Sequence, residues 1–255
     1  MNAGKESCWI AHGIVRESAR FHLVCFPFAG GTAADFAAWK EYLPREYSVY
    51  PVLYPMRERR SGEYMPEKME KLAECFVREN MSIFEKPFVI FGQCTGCLIA
   101  YEVCRYLWEH CRKEPLLFVA SGSASPHVRI VEEQKEEICD QWLLEMLLRE
   151  GRLTEEAIQL PMFMEYYFPV LKADFALLAG YGYPGDYILS CPILTVAAEG
   201  DTLVPMDEVQ KWSRYTEAEH YFFRVQGNHY FLREQGAAIC ARIDRLLEEK
   251  YKYVN

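Results

Sequence analysis

A cysteine stands between two glycines in Gly92-Gln93-Cys94-Thr95-Gly96, where the apolar run FVIF passes into CLIAYEV. Strand, tight turn and helix in direct succession is the setting in which G-x-S-x-G presents a nucleophile, here with Cys in place of Ser. The glycines are a matter of space, because side chains at 92 and 96 would collide with the neighbouring strand and helix. The positive end of the following helix stabilises negative charge at such a turn. Attack on a carbonyl also needs a base, and six histidines are present. His229, in VQGNHYFL, falls in a loop between the last strand-like run and the last helical one. His12, His22, His110 and His220 read as structural, and His127, after a central strand, as a rim residue. An aspartate must hold the imidazole in one tautomer. Asp201 follows the run PILTVAA at the same end of the sheet as Cys94, with Glu199 and Asp207 as alternative acids.

Attack on a carbonyl also needs donors for the oxyanion. The segment Phe26-Pro27-Phe28-Ala29-Gly30-Gly31-Thr32 can aim backbone N–H groups at one, since glycine permits close approach and unusual dihedrals. The expected hole combines the N–H of Thr95 with that of Ala29 or Phe28. The glycines lack the G-x-G-x-x-G spacing and the Lys-Ser/Thr ending of a phosphate loop. Cys94-Thr95-Gly96-Cys97 is also a C-x-x-C, the pattern of a redox pair. That chemistry has no use for Gly92 and Gly96. Cys97 and Cys104 share one helical face, so packing accounts for them.

Short β-rich runs alternate with helical ones, the pattern of a mainly parallel sheet with helices on both faces. Strands are expected at 21–28, 47–54, 87–91, 116–120, 192–197 and 221–225, and their nearly continuous apolar character marks burial on both sides. Helices are expected at 33–42, 67–84, 96–110, 206–215 and 233–251, the last with Ile239, Ile243, Leu246 and Leu247 on one face. From about 127 to 181 the pattern is purely helical and rich in Met, Phe and Tyr. An all-helical insertion between two buried strands reads as a lid, with Met162, Phe163 and Phe168 lining an acyl pocket. The order nucleophile, acid, histidine is that of the α/β-hydrolases. One α/β-hydrolase domain over 1–255 follows.

The bulk properties agree. The chain has 255 residues, 51% apolar and 25% charged, with a formal net charge of −9 and no long basic run. A nucleic-acid binder would need such a run to neutralise phosphates. No segment approaches the roughly 20 apolar residues of a membrane helix, and no signal-peptide pattern opens the chain, so a cytosolic monomer with mostly reduced cysteines is expected.

Taken together, these segments resemble the type II thioesterases of nonribosomal-peptide and polyketide synthesis nearly end to end. LVCFPFAGGTAADFAAW resembles their first strand and oxyanion loop, and YPMRERR their P-G-R-E-x-R segment. FVIFGQCTGCLIAYEV is similar to their nucleophile elbow, LKADFALLAGYGY to their R-A-D-F motif, and CPILTVAAEGD and VQGNHYFL to their acid and histidine loops. Three positions depart: Cys94 replaces the family's Ser, Gln93 its His, and Met56 its Gly. The resemblance implies removal of acyl groups from the phosphopantetheine arm of a carrier-protein domain, with no metal or cofactor consumed. Since carrier domains are acidic too, docking is expected to be apolar or to use a patch such as Arg57, Arg59 and Arg60. The cysteine keeps a second outcome open, because a few relatives with Cys there move aminoacyl groups between carriers. A non-catalytic docking protein and a small-molecule esterase or peptidase are the remaining alternatives.

Overall fold

The computed structural model describes residues 7–127, 140–149, 151, 153–183, 185 and 187–251. Residues 128–139, 150 and 152 of the helical stretch expected from about 127 to 181 lie outside the described residues.

Six strands form one parallel sheet: β1 (Phe21–Phe26), β2 (Tyr47–Pro51), β3 (Phe88–Gln93), β4 (Leu117–Ser121), β5 (Ile193–Ala198) and β6 (His220–Val225). Their order is β2-β1-β3-β4-β5-β6. Each lies within two residues of its expected start. Strands β1 to β5 are buried along their whole length, as continuous apolar runs require. β6 is a sheet edge and only its last residue is fully buried. The opposite edge, β2, is partly covered by bridges from Ile10 to Val52 and from Ile14 to Val49, which occupy backbone groups that would otherwise face another chain.

The helices are α1 (Trp39–Tyr42), α2 (Met69–Glu79), α3 (Thr95–Cys111), α4 (Asp140–Arg149), α5 (Glu155–Ile158), α6 (Phe168–Gly180), α7 (Met206–Gln210) and α8 (Leu232–Tyr251). Three expected helices are divided: 206–215 passes from α7 into a 3-10 turn at Lys211–Tyr215, and two others break for local reasons. Residues 33–42 divide into a 3-10 turn at Ala33–Phe36 and α1, the turn being closed by a capping box between Thr32 and Asp35. Residues 67–84 divide at Asn80, whose side-chain amide bonds back to the carbonyl of Phe76 and ends α2. On α8, Ile239, Ile243, Leu246 and Leu247 are all buried against the sheet, worth about 1.5–3 kcal/mol each. Apolar clusters fill both faces of the sheet.

Between β4 and β5 the described chain is helical, comprising α4, α5, a π-helical turn at Phe163–Tyr167 and α6. These pieces share a small core of their own built on Leu143, Met146, Leu147, Phe163, Phe168 and Leu171. Among the described residues no helix is long and apolar enough to cross a membrane.

Candidate active site

β1 and β3 lie side by side, but the chain leaves them for opposite edges of the sheet: β2 is outside β1, and β4 is beyond β3. Such a switch of direction opens a crevice at the carboxyl ends of the strands. Cys94 follows β3 directly and precedes α3, with φ 51° and ψ −122°, a conformation non-glycine residues seldom adopt. The glycines around it make that turn possible. A Cβ on Gly92 would lie 2.4 Å from the Cα of Cys97, and one on Gly96 would lie 2.3 Å from the carbonyl oxygen of Phe26. α3 and β1 therefore press on the elbow from both sides, as the spacing of the glycines predicts.

Asp201 sits in the loop after β5. Its Oδ1 accepts from the N–H groups of Leu203 and Val204, each at 2.9 Å. Its Oδ2 pairs with His229 Nδ1 at 2.8 Å, and both side chains are buried. With Nδ1 so occupied, Nε2 of His229 is left for the nucleophile, and the imidazole interacts with the Cys94 thiol. Burial opposes charge on this imidazole, but Cys94 and Asp201 together outweigh it and push its pKa up to about 10. The alternative acid Glu199 turns instead to Gln226, at 2.7 Å, and Arg224.

The other histidines are engaged elsewhere. His12 pairs with Glu58, His22 with the carbonyl of Ile83, His110 with that of Tyr106, and His220 with Thr195. His127 does not reach the rim assigned to it: its ring stacks on Tyr215 and bonds the phenol at 2.9 Å. Cys97 is fully buried, its S–H directed to the carbonyl of Gly92 at 3.0 Å, and burial pushes the thiol well above its ordinary range. A buried, protonated thiol is a poor redox partner. The nine described cysteines are all free.

A cavity of about 260 Å³ opens beside Cys94 and His229. Ala29 and Thr95, two of the expected oxyanion residues, line it, together with Phe28. As the first residue of α3, Thr95 has an N–H with no acceptor inside the helix. The rest of the wall is mostly apolar. Of the side chains expected to line it, Met162 is 72% exposed, while Phe163 and Phe168 pack into the core of the helical layer. None of the three faces this cavity. The lining comes instead from Trp142, Met146 and Leu147 of α4 and from Phe175 and Leu178 of α6. Residues 163–167 form a π-helical turn, whose residue spacing departs from the α-helical period used to assign faces in this stretch.

The arginine patch is a second correction. Arg57 is buried and pairs with Asp174 of α6, and it also donates to the carbonyl of Gly31 at 2.8 Å. Arg60 is buried over the Trp9 ring at 3.8 Å and bonds the carbonyl of Leu53 at 2.9 Å. Arg59 reaches the carbonyls of Ser7 and Ile10. These guanidiniums satisfy backbone carbonyls and hold loops, so they do not form a docking surface.

Asp174 was not singled out in advance as a site residue. Its carboxylate accepts from the N–H of Gly30, at 2.6 Å, as well as from Arg57. Burial pushes the carboxyl upward, and Arg57 and the Gly30 N–H hold against that push. The usable signal was a lone carboxylate inside the apolar run FPVLKADFALLAG, which must find a partner to be buried. Gly30, at φ 73°, lies so close to α6 that a Cβ would fall 2.5 Å from Leu171 and 2.7 Å from the Tyr167 hydroxyl. The helical layer therefore rests directly on the loop that carries Ala29.

A family model described as a thioesterase domain matches residues 21–247. The gramicidin S biosynthesis protein GrsT of Aneurinibacillus migulanus is 26% identical over 211 residues, 83% of this chain and 82% of its own. The solved structure of RedJ, a thioesterase from the prodiginine biosynthetic pathway in Streptomyces coelicolor, aligns with a TM-score of 0.81 at 30% identity, over 89% of this chain and 86% of that one. BorB, a type II thioesterase from the borrelidin biosynthetic cluster, aligns with a TM-score of 0.83 over 96% of this chain and 99% of its own, and at 23% identity this likeness speaks for the fold alone.

Proposed function

This chain belongs to the thioesterase-domain family, and on that premise we propose that it hydrolyses acyl or aminoacyl thioesters carried on the phosphopantetheine arm of a synthase's carrier domain. The observation that carries the reading is the Asp201–His229 pair at 2.8 Å, set beside Cys94 at the mouth of an apolar cavity. In this reading the acyl chain occupies the cavity under the helices of 140–180, which act as a lid. The Cys94 thiol gives its proton to His229 as its sulfur adds to the thioester carbonyl, and the oxyanion is held by the N–H groups of Ala29 and Thr95. Collapse breaks the carbon–sulfur bond to the arm, and the imidazolium of His229 gives its proton to the departing thiolate. His229 then takes a proton from water as it attacks the acyl-enzyme. The carbon–sulfur bond to Cys94 breaks, the free acid leaves, and the proton returns to the Cys94 sulfur, with Asp201 fixing the tautomer throughout. A non-catalytic docking protein would have no use for a strained thiol lining one cavity with a buried imidazole–carboxylate pair.

Cysteine makes the acyl-enzyme a thioester, so return of the acyl group to a second carrier thiol is nearly balanced in energy. The deciding experiment loads one carrier with a labelled aminoacyl group and adds enzyme with or without a second, empty carrier. Release of free acid at the same rate in both supports hydrolysis. Rapid appearance of label on the second carrier, with little free acid, replaces it by acyl transfer. Retention of all label on the first carrier removes both.

A further inference from the structure

A second cavity, of about 510 Å³, meets the same pair of side chains from another direction. It shares Phe28, Cys94, His229 and Tyr230 with the apolar cavity, so the nucleophile and base stand where the two join. Its remaining wall has a different character. Asp35, Gln93, Arg233 and Glu234 supply polar groups, and Ala34, Ala37 and Ala38 leave room between them.

We propose that this polar cavity is the subsite for the thiol arm of the substrate, an amide-bearing chain ending in a phosphate, so that acyl group and arm extend from Cys94 into different cavities. The inference rests on the thioesterase reading and adds to it where the leaving group lies. The reaction requires two directions at the carbonyl carbon. The apolar cavity suits a hydrocarbon or side chain, and it leaves the amides of a pantetheine chain without partners, at a cost. The polar cavity supplies them. Gln93 is 2% exposed, and its carboxamide oxygen is buried without a donor among the described residues. An unmet buried acceptor next to the nucleophile calls for a partner, and an arm N–H is one. The Glu234 carboxylate can accept the other arm N–H, while Asp35 is already held by the N–H of Thr32 at 2.7 Å. Arg233 is exposed at the start of α8 and has no ion-pair partner among the described residues. A guanidinium beside the amino end of a 20-residue helix favours a phosphate at the outer end of the arm. His229 borders this cavity too, so its proton is placed for the thiolate that departs along it.

The test uses one acyl group on three thiols: N-acetylcysteamine, pantetheine and phosphopantetheine. For the wild type we expect kcat/KM to rise about tenfold with the full pantetheine chain and again by several-fold with the phosphate. Ala38→Trp, an exposed position on the cavity wall, should make the three values converge on that of the shortest thiol. Arg233→Ala should remove only the phosphate increment. Equal values for all three thiols in the wild type overturn the proposal, as does an equal loss on all three in Ala38→Trp. If the wild type turns over none of them, the thioesterase reading fails by itself. The subsite is then read from alkylation of Cys94 in the presence of phosphopantetheine lacking its sulfur. Protection that Ala38→Trp abolishes supports the subsite, and absence of protection overturns it.

Discussion

The N–H of Gly30 donates to the Asp174 carboxylate at 2.6 Å, which ties the loop after the first strand to helix α6 across 144 residues of sequence. Arg57 completes the tie by pairing with the same carboxylate and with the carbonyl of Gly31. The loop that offers the Ala29 N–H thus takes its position from the helical layer above it.

Breaking this tie should cost both stability and rate. Asp174→Asn leaves the Arg57 charge buried and uncompensated, a loss of about 3–5 kcal/mol in thermal or denaturant unfolding. The double variant Arg57→Met with Asp174→Leu should regain most of that stability. It should still lose about 100-fold in kcat with little change in KM, because the loop is no longer held in place. Full activity in a stable double variant would show that the pair is structural only.

His229 should titrate far above its ordinary value of 6.5, near 10. A raised folded-state pKa contributes stability that is complete below about 6.5 and is lost as pH rises through about 10. Cys94 is the first of the groups that raise it, so in Cys94→Ala the midpoint should fall. NMR titration of the ring protons in both proteins checks this, and equal midpoints would contradict it.

Selectivity should follow the observed lining. Met146→Trp narrows the apolar cavity and should shift preference toward shorter acyl groups by tenfold or more in relative kcat/KM. Phe163→Leu should lower stability by about 1–3 kcal/mol and leave the preference as it was, since Phe163 packs inside the helical layer. A change of preference in Phe163→Leu alone would reverse the two assignments.

The elbow glycines should tolerate nothing larger. Gly96→Ala drives a methyl against the carbonyl of Phe26 and should prevent stable folding, whereas Gly62→Ala meets no atom within 4 Å and should change stability by under about 0.5 kcal/mol. Soluble yield and melting temperature of the two variants compare them directly.

The strands were legible because burial on both faces leaves a continuous apolar run, and the elbow because Gly92 and Gly96 answer to contacts made within one strand–turn–helix unit. Cys94, Asp201 and His229 could be placed from chain order and strand ends, and the structure brings these three together. What escaped depends on contacts distant in sequence. Arg57 and Asp174 are 117 residues apart, and nothing local says that an arginine in a charged segment is buried. Met162, Phe163 and Phe168 have the composition of a pocket wall, but Met162 faces solvent and Phe163 and Phe168 pack into the core of the helical layer, an orientation that depends on contacts with α4 and α6.

The central claim is that Cys94 carries the acyl group. Intact-protein and peptide mass spectrometry after brief incubation with an acyl-pantetheine thioester, quenched in acid, reads this directly. The account predicts one acyl mass on the peptide holding Cys94, absent from Cys94→Ala together with all turnover. An adduct on Cys97, or turnover that survives in Cys94→Ala, would contradict it.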